Sequence, residues 1–292
     1  SSPSALDAAR AALRMTLHVA AVDAFSAKPL GGNGATVVWL EQPAEAPWMQ
    51  LLAAEFNQSE TAFLWRHREH WYLRWFTPSC EVDLCGHATL AASVALHHWK
   101  QLPIRSPQQL LTRSGPLRVE LHSPTAAAID LPSDGLKPRG KDPWMEPFQP
   151  LQQWTSDLGY GVLLLEASAD LQQLNPDDPC WASTWEKAWV LMQPSTGSSD
   201  YQLRFFAPGL GLREDPVTGS AHALVAPWWC QQLHQRSVRG WQPSHRPGGL
   251  CCEPLSSGMI RLIGDGVILW DGELQSQPAH PSAEPWLALH PS

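Results

Sequence analysis

Glu60 is the residue in this sequence best placed for proton transfer. It follows Asn57-Gln58-Ser59 at the head of an apolar stretch, Thr61-Ala62-Phe63. A carboxylate there is partly desolvated, which raises its pKa and suits it to general-base work. Three further groups sit at turns of similar composition: His87 in Gly86-His87-Ala88, Asp215 ahead of Pro216, and Ser220 in Thr218-Gly219-Ser220. Each also has a plainer reading. Glu60 fits an exposed strand edge, His87 a packing residue at a helix start, Asp215 a helix N-cap, and Ser220 the lining of a turn.

Gly86 and Gly219 each open a run of small and apolar residues. Helices starting there would present unpaired backbone N–H groups and the positive ends of their dipoles. Facing each other across a cleft, they would hold the carboxylate of a small acid without a cationic side chain, with Thr218 and Ser220 alongside. Close packing accounts for the two glycines equally well.

The elements that must position these groups are legible from pattern. Thr16–Phe25 and Ala35–Leu40 read as strands around a Gly-rich turn. Pro47 opens a helix that Asn57 ends. Glu60–Trp65 and Trp71–Phe76 follow as strands, and the run from Ala88 to Trp99 has no polar face for about two turns, the mark of a buried helix. The second half repeats the plan: Phe76-Thr77-Pro78 leading to Gly86-His87-Ala88 is matched by Phe206-Ala207-Pro208 leading to Gly219-Ser220-Ala221. That repeat predicts two domains, residues 15–130 and 131–275, with the crossover in Ser123–Leu136. The second helix is expected to end near Pro227, Met259–Trp270 to form a closing hairpin, and residues 276–292 to be poorly ordered.

Composition narrows the class. With 292 residues, 43% apolar and only 16% charged, the chain can build two cores, and 27 prolines and 20 glycines predict many short elements. The net charge of −8 and the absence of any Lys/Arg cluster longer than a pair argue against a nucleic-acid partner. No apolar run reaches the ~18 residues of a membrane span. Residues 1–14 lack the apolar core of a secretory signal and read as an extension ahead of a natural start at Met15. Six cysteines without a Cys-x-x-Cys pair predict free thiols in a reducing cytoplasm and no zinc site. Sixteen tryptophans serve mainly to fill cores.

Taken together, four segments resemble the motifs of the phenazine-biosynthesis (PhzF-like) family, in that family's order. They are Val22-Asp23-Ala24-Phe25 with Gly32-Asn33; Asn57 to Phe63; Phe76-Thr77-Pro78 with Glu81 to Thr89; and Glu214 to His222. The sequence departs from the family's pattern at Gly34, where proline is usual, and at His245, which precedes Arg246-Pro247 in place of glycine. The resemblance implies an α+β, diaminopimelate epimerase-like fold: two pseudo-symmetric domains, each a β-barrel-like sheet wrapped around a central helix, with the site between them. It implies Glu60 as proton shuttle, assisted by His87 and Asp215, with Gly86, Thr218, Gly219 and Ser220 binding a small carboxylate substrate. It also implies a homodimer, no cofactor and no metal. Diaminopimelate epimerase uses two opposed cysteines. Cys85 matches one, and Pro216 is taken as the counterpart of the other, so a two-thiol racemase is not expected. The expected function is a cofactor-independent isomerase. The alternatives are a racemase or epimerase, and a binding protein without turnover.

Overall fold

Alternating apolar segments and small-residue helices build one continuous sixteen-stranded sheet whose two parts, a first and a second sheet sharing one strand, each curl around a helix. A computed structural model describes residues 17–289; the expected extension at 1–14 lies outside the described residues. The first sheet begins with β1 (Leu17–Ala24) and β2 (Asn33–Leu40). Between them Gly32 has φ +64°, and a Cβ there would lie 2.2 Å from the Ala24 carbonyl oxygen, so only glycine makes this turn. Helix α1 (Ala46–Phe56) carries Pro47 in its first turn and ends on Asn57 at φ 51°, whose N–H reaches the Ala53 carbonyl. Strands β3 (Glu60–His67), β4 (His70–Phe76) and the short β5 (Glu81–Val82) lead into α2 (Gly86–His98). Then come β6 (Gln108–Thr112), β7 (Gly115–Ser123) and β8 (Ala126–Pro132).

Every residue of α2 from His87 to Leu96 is buried, as a helix without a polar face requires, and the Thr89 and Ser93 hydroxyls bond backbone carbonyls four residues back. The alanines of this helix let the strands close tightly around it. β1, β2, β3, β4, β6, β7, β8 and the last strand, β16 (Met259–Leu274), form the closed barrel.

The second sheet repeats this pairing. It comprises β9 (Lys137–Pro138), β10 (Gln152–Thr155), β11 (Tyr160–Leu164), β12 (Ala188–Pro194), β13 (Tyr201–Phe206), β14 (Val238–Gln242), β15 (Gly248–Pro254) and β16. Parallel β2–β3 is matched by parallel β11–β12, and parallel β4–β6 by parallel β13–β14, with α3 (Gly219–Leu233) occupying the place of α2. The correspondence extends to side chains. Arg74 clasps Glu81 through two hydrogen bonds of 2.7 and 2.8 Å, and Arg204 clasps Glu214 at 2.6 and 2.7 Å. Each guanidinium also lies over the phenylalanine two residues on, Phe76 or Phe206. The architecture is therefore the expected one, an α+β pair of pseudo-symmetric halves.

Four details differ from expectation. Helix α3 runs through Pro227 to Leu233. Proline removes the N–H that would bond the Ala223 carbonyl, and the Ser133 hydroxyl stands 3.3 Å from that oxygen and 3.1 Å from the Asp134 carbonyl, its one proton shared between the two. Met259–Trp270 is no hairpin but part of one sixteen-residue strand. Met259–Asp265 of β16 lies beside β8, and Gly266–Leu274 pairs with β1. Residues beyond a cut at 130/131 thus complete the first barrel, and the crossover follows β8 rather than spanning Ser123–Leu136. Finally, the Pro-rich tail is docked: Trp286 is fully buried and its indole donates to the Ala44 carbonyl at 2.8 Å. Among the described residues no helix is long and apolar enough to cross a membrane.

Candidate active site

The two central helices meet at their N-termini. A Cβ built on Gly86 would lie 3.7 Å from the Gly219 Cα, and one built on Gly219 would lie 3.6 Å from the Gly86 Cα. Two sets of unpaired helical N–H groups and two positive dipole ends therefore converge between the halves. Glu60 reaches this junction from the first residue of β3, and His87 from the first turn of α2.

His87 Nε2 stands 3.1 Å from Glu60 Oε2 and 3.1 Å from Ser59 Oγ, while its Nδ1 stands 3.4 Å from Cys85 Sγ. Their side chains are nearly withdrawn from solvent, His87 at 7% and Glu60 at 17% exposure. Burial alone would lift the Glu60 pKa, which was the sequence-based expectation. The His87 charge and the hydrogen bonds around the carboxylate outweigh it, and the Glu60 pKa lies below the ordinary value. For His87, burial works against the imidazolium, but Cys85 and Glu60 raise its pKa well above the ordinary one. Burial, reinforced by the Glu60 charge, pushes the Cys85 thiol up, so it stays protonated. The directions of the Glu60 and His87 shifts favour a carboxylate beside an imidazolium.

Glu60, Cys85 and His87 place their donor atoms within 4.8 Å of one another, the one such group able to hold a metal among the described residues. His87 hydrogen-bonds Ser59 and Cys85 and forms an ion pair with Glu60, whose Oε2 has no hydrogen-bond partner of its own.

Behind His87 the hydrogen bonds continue into the second half. Ser59 Oγ lies 3.1 Å from both Asn33 Oδ1 and the Gly34 carbonyl. Asn33 Nδ2 donates to Asp215 Oδ1 at 2.8 Å and to the Val217 carbonyl at 3.0 Å. Asp215 Oδ2 accepts the Thr218 hydroxyl proton at 2.5 Å, and Gln242 accepts from the Thr218 N–H and donates to the Asp215 carbonyl. Burial, helped by the negative charge of Glu60, raises the Asp215 pKa despite these donors and the His87 charge. Asp215 is therefore not an N-cap of α3. Thr218 occupies that position, and its N–H and hydroxyl are both engaged inside the protein rather than free for a substrate.

Gly86, Gly219 and Ser220 do lie at the junction, with Ser220 Oγ 3.2 Å from the Tyr160 hydroxyl. His222 belongs to the core: its Nδ1 bonds the Tyr201 hydroxyl at 2.7 Å, and burial takes its pKa down to about 3. The repeat also corrects one assignment. Cys85 and Thr218 are the N-caps of the two central helices, so the counterpart of Cys85 is Thr218, not Pro216. No thiol stands in the second half at that place.

A clasp of main-chain and charged contacts joins the halves beside this site. Arg246 Nη2 meets Asp23 Oδ1 at 2.8 Å and bonds the Gly31 carbonyl, and its Nε bonds the Gly32 carbonyl. The Asp23 and Arg246-Pro247 segments, far apart in sequence, are thus one structural unit. Sequence reasoning assigned no role to Asn33, Ser59, Tyr160 or Gln242. Asn33 and Ser59 carried a signal, since both stand in motifs around Glu60; Tyr160 and Gln242 carried none.

Comparisons with known proteins identify the family and the fold. The chain is 36% identical over 268 residues to an uncharacterized isomerase of Pseudomonas aeruginosa, covering 89% of this chain and 99% of that protein. A phenazine biosynthesis protein of the PhzF family from Enterococcus faecalis superposes with a TM-score of 0.83 at 30% identity, covering 90% of this chain and all of that one. A hydroxyproline epimerase from Agrobacterium vitis shares the fold, with a TM-score of 0.59 at 9% identity over 94% of this chain and 97% of that one. The profile of the phenazine biosynthesis-like family, PhzC-PhzF, matches residues 22–272, and the chain belongs to that family.

Proposed function

We propose that this protein is a cofactor-independent isomerase that moves a proton on a small carboxylate-bearing substrate. The observation that carries the reading is the Glu60–His87 pair, buried where two helix N-termini converge. The substrate's carboxylate lies against the N–H groups of Gly86, Gly219 and Ser220. Glu60, ionised at rest, takes a proton from an adjacent activated carbon. The electron pair left behind spreads through a neighbouring C=C bond and the carboxylate, where the helix ends and the His87 imidazolium stabilise the added charge. Glu60, whose proton exchanges with solvent while the anion lasts, then protonates another carbon on that face, so a double bond moves and no atom is gained or lost. Asp215 acts through Asn33 and Ser59, fixing the position of His87. The proposal extends to a cytoplasmic homodimer.

The relatives named as isomerases support the reaction class, and the second half's Thr218 in place of a thiol supports one-sided chemistry over a two-thiol epimerisation. The test is solvent deuterium entering small cyclic carboxylic acids, compared between the wild type and Glu60→Gln. General-base loss predicts a fall of about 10²–10⁴-fold with the fold intact. Exchange that persists in Glu60→Gln refutes the proposal.

A further inference from the structure

The internal repeat, followed strand by strand, identifies what the second half sets against the Glu60–His87 pair. In the first half, Glu60 pairs in register with Ala35 across the parallel strands β2 and β3, and the next residue, Thr61, pairs with Phe76. In the second half, Ala188 pairs with Tyr160 across the parallel strands β11 and β12, and the next residue, Trp189, pairs with Phe206. Phe76 and Phe206 are equivalent by the Arg–Glu clasps beside them. Ala188 thus holds the place of Glu60, and Tyr160 that of Ala35. By the same alignment Gly86 matches Gly219, and His87 matches Ser220.

The second half therefore has no carboxylate opposite Glu60, but it does keep a polar pair in that region. The Tyr160 ring is braced edge-on against Phe205, centroids 4.9 Å apart, and its hydroxyl lies 3.2 Å from Ser220 Oγ in the first turn of α3. Glu60 touching His87 has its counterpart in Tyr160 touching Ser220, displaced by one strand. We infer that Tyr160 is a substrate-contacting residue of the second half, whose hydroxyl, oriented by Ser220, donates a hydrogen bond to the substrate's carboxylate opposite Glu60.

The chemistry of the pair fits a donor rather than a second base. Burial, together with the nearby Asp215 carboxylate, raises the Tyr160 pKa even though the Ser220 hydrogen bond pulls it down. It remains a phenol throughout the neutral range. When Ser220 donates to the phenol oxygen, the Tyr160 proton is freed toward the cleft, where an anion at the two helix starts would accept it. This assignment rests on the carboxylate-binding reading of the junction given above, and it makes Tyr160 a determinant of specificity for acids over neutral analogues.

The experiment measures binding of benzoate and of benzyl alcohol by tryptophan fluorescence to the wild type, Tyr160→Phe, Ser220→Ala and the double variant. Tyr160→Phe keeps the ring against Phe205 and removes one oxygen. It is expected to weaken benzoate about 10- to 100-fold, the worth of a hydrogen bond to a charged group, while leaving benzyl alcohol and thermal stability nearly unchanged. Ser220→Ala is expected to weaken benzoate less, and the double variant no more than Tyr160→Phe alone, because the two act as one unit. Equal benzoate affinity in Tyr160→Phe and wild type overturns the inference, as does a wild type that does not bind millimolar benzoate. Deuterium exchange in Glu60→Gln keeps the two readings apart. Exchange that depends on Glu60 alongside unchanged benzoate binding in Tyr160→Phe removes only the role of Tyr160. Exchange that survives Glu60→Gln removes the isomerase and leaves the Tyr160 result to stand on binding.

Discussion

Asn33→Asp changes the amide at the joint between the halves by one atom and reverses its meaning. The Asn33 side chain is buried at 1% exposure, and its Nδ2 donates to Asp215 Oδ1 and to the Val217 carbonyl. An oxygen in that place faces a carboxylate 2.8 Å away and a carbonyl 3.0 Å away with nothing to donate. Two carboxylates this close cannot both ionise, so they share a proton in the folded state. The unfolded chain has no such constraint, and its carboxyl groups titrate near 3.9. A folded-state pKa raised above the unfolded one costs nothing below pH ~4 and about 1.4 kcal/mol for each pH unit above it, until the folded group itself ionises.

With the shared proton held to about pH 7, the variant loses roughly 1.5 kcal/mol at pH 5 and about 4 kcal/mol at pH 7 and above. At ~2–4 °C per kcal/mol for a chain of this order, its melting temperature falls by several degrees at pH 5 and by about 10 °C or more at pH 8, relative to wild type at each pH. Thermal unfolding followed by tryptophan fluorescence at the two pH values measures this. A loss equal at both pH values, or larger at pH 5, refutes the reasoning.

His87→Asn removes the charge that holds Glu60 below the ordinary carboxyl range. Burial then governs, and the acid limb of the exchange rate moves to higher pH by about 1 unit or more; a pH–rate profile checks it. In the wild type the lowered Glu60 pKa stabilises the fold above the unfolded carboxyl value and is lost as pH falls through the folded one. The raised His87 pKa stabilises it fully below about 6.5 and is lost as pH rises through the folded value. Ser133→Ala removes the hydroxyl shared by the Asp134 and Ala223 carbonyls, leaves the Ala223 carbonyl without it, and costs about 1–3 kcal/mol in urea unfolding. Pro227→Ala in that background restores an N–H to the same carbonyl and recovers most of the loss. Trp286→Ala empties a fully buried site and costs about 3–5 kcal/mol, where a loose tail would show no change in melting temperature.

Local physics wrote much of this protein into its sequence. A helix with no polar face must be buried, so α2 was legible from Ala88–Leu96 alone. Asn57 and Pro47 marked the ends of α1 because left-handed and first-turn positions favour those residues. The duplicated Phe-x-Pro and glycine-led helices disclosed two similar halves, and motif resemblance placed Glu60, His87 and Asp215 in one site.

Tertiary structure decided what depends on partners distant in the chain. The continuation of α3 past Pro227 needed Ser133, about ninety residues upstream. The single long β16 needed β8 and β1 to pair with, which its own alternation around Gly264 and Gly266 could not announce. The Pro-rich tail was ordered by a slot at Ala44 for one indole. The sign of the Glu60 shift turned on the same kind of fact: sequence shows the apolar neighbours that raise a pKa, but an imidazolium 3.1 Å away, which lowers it, exists only once β3 and α2 are folded together. Tyr160 and Gln242 carry no local mark for the same reason, since hydrogen bonds between residues tens of positions apart have no period in the chain.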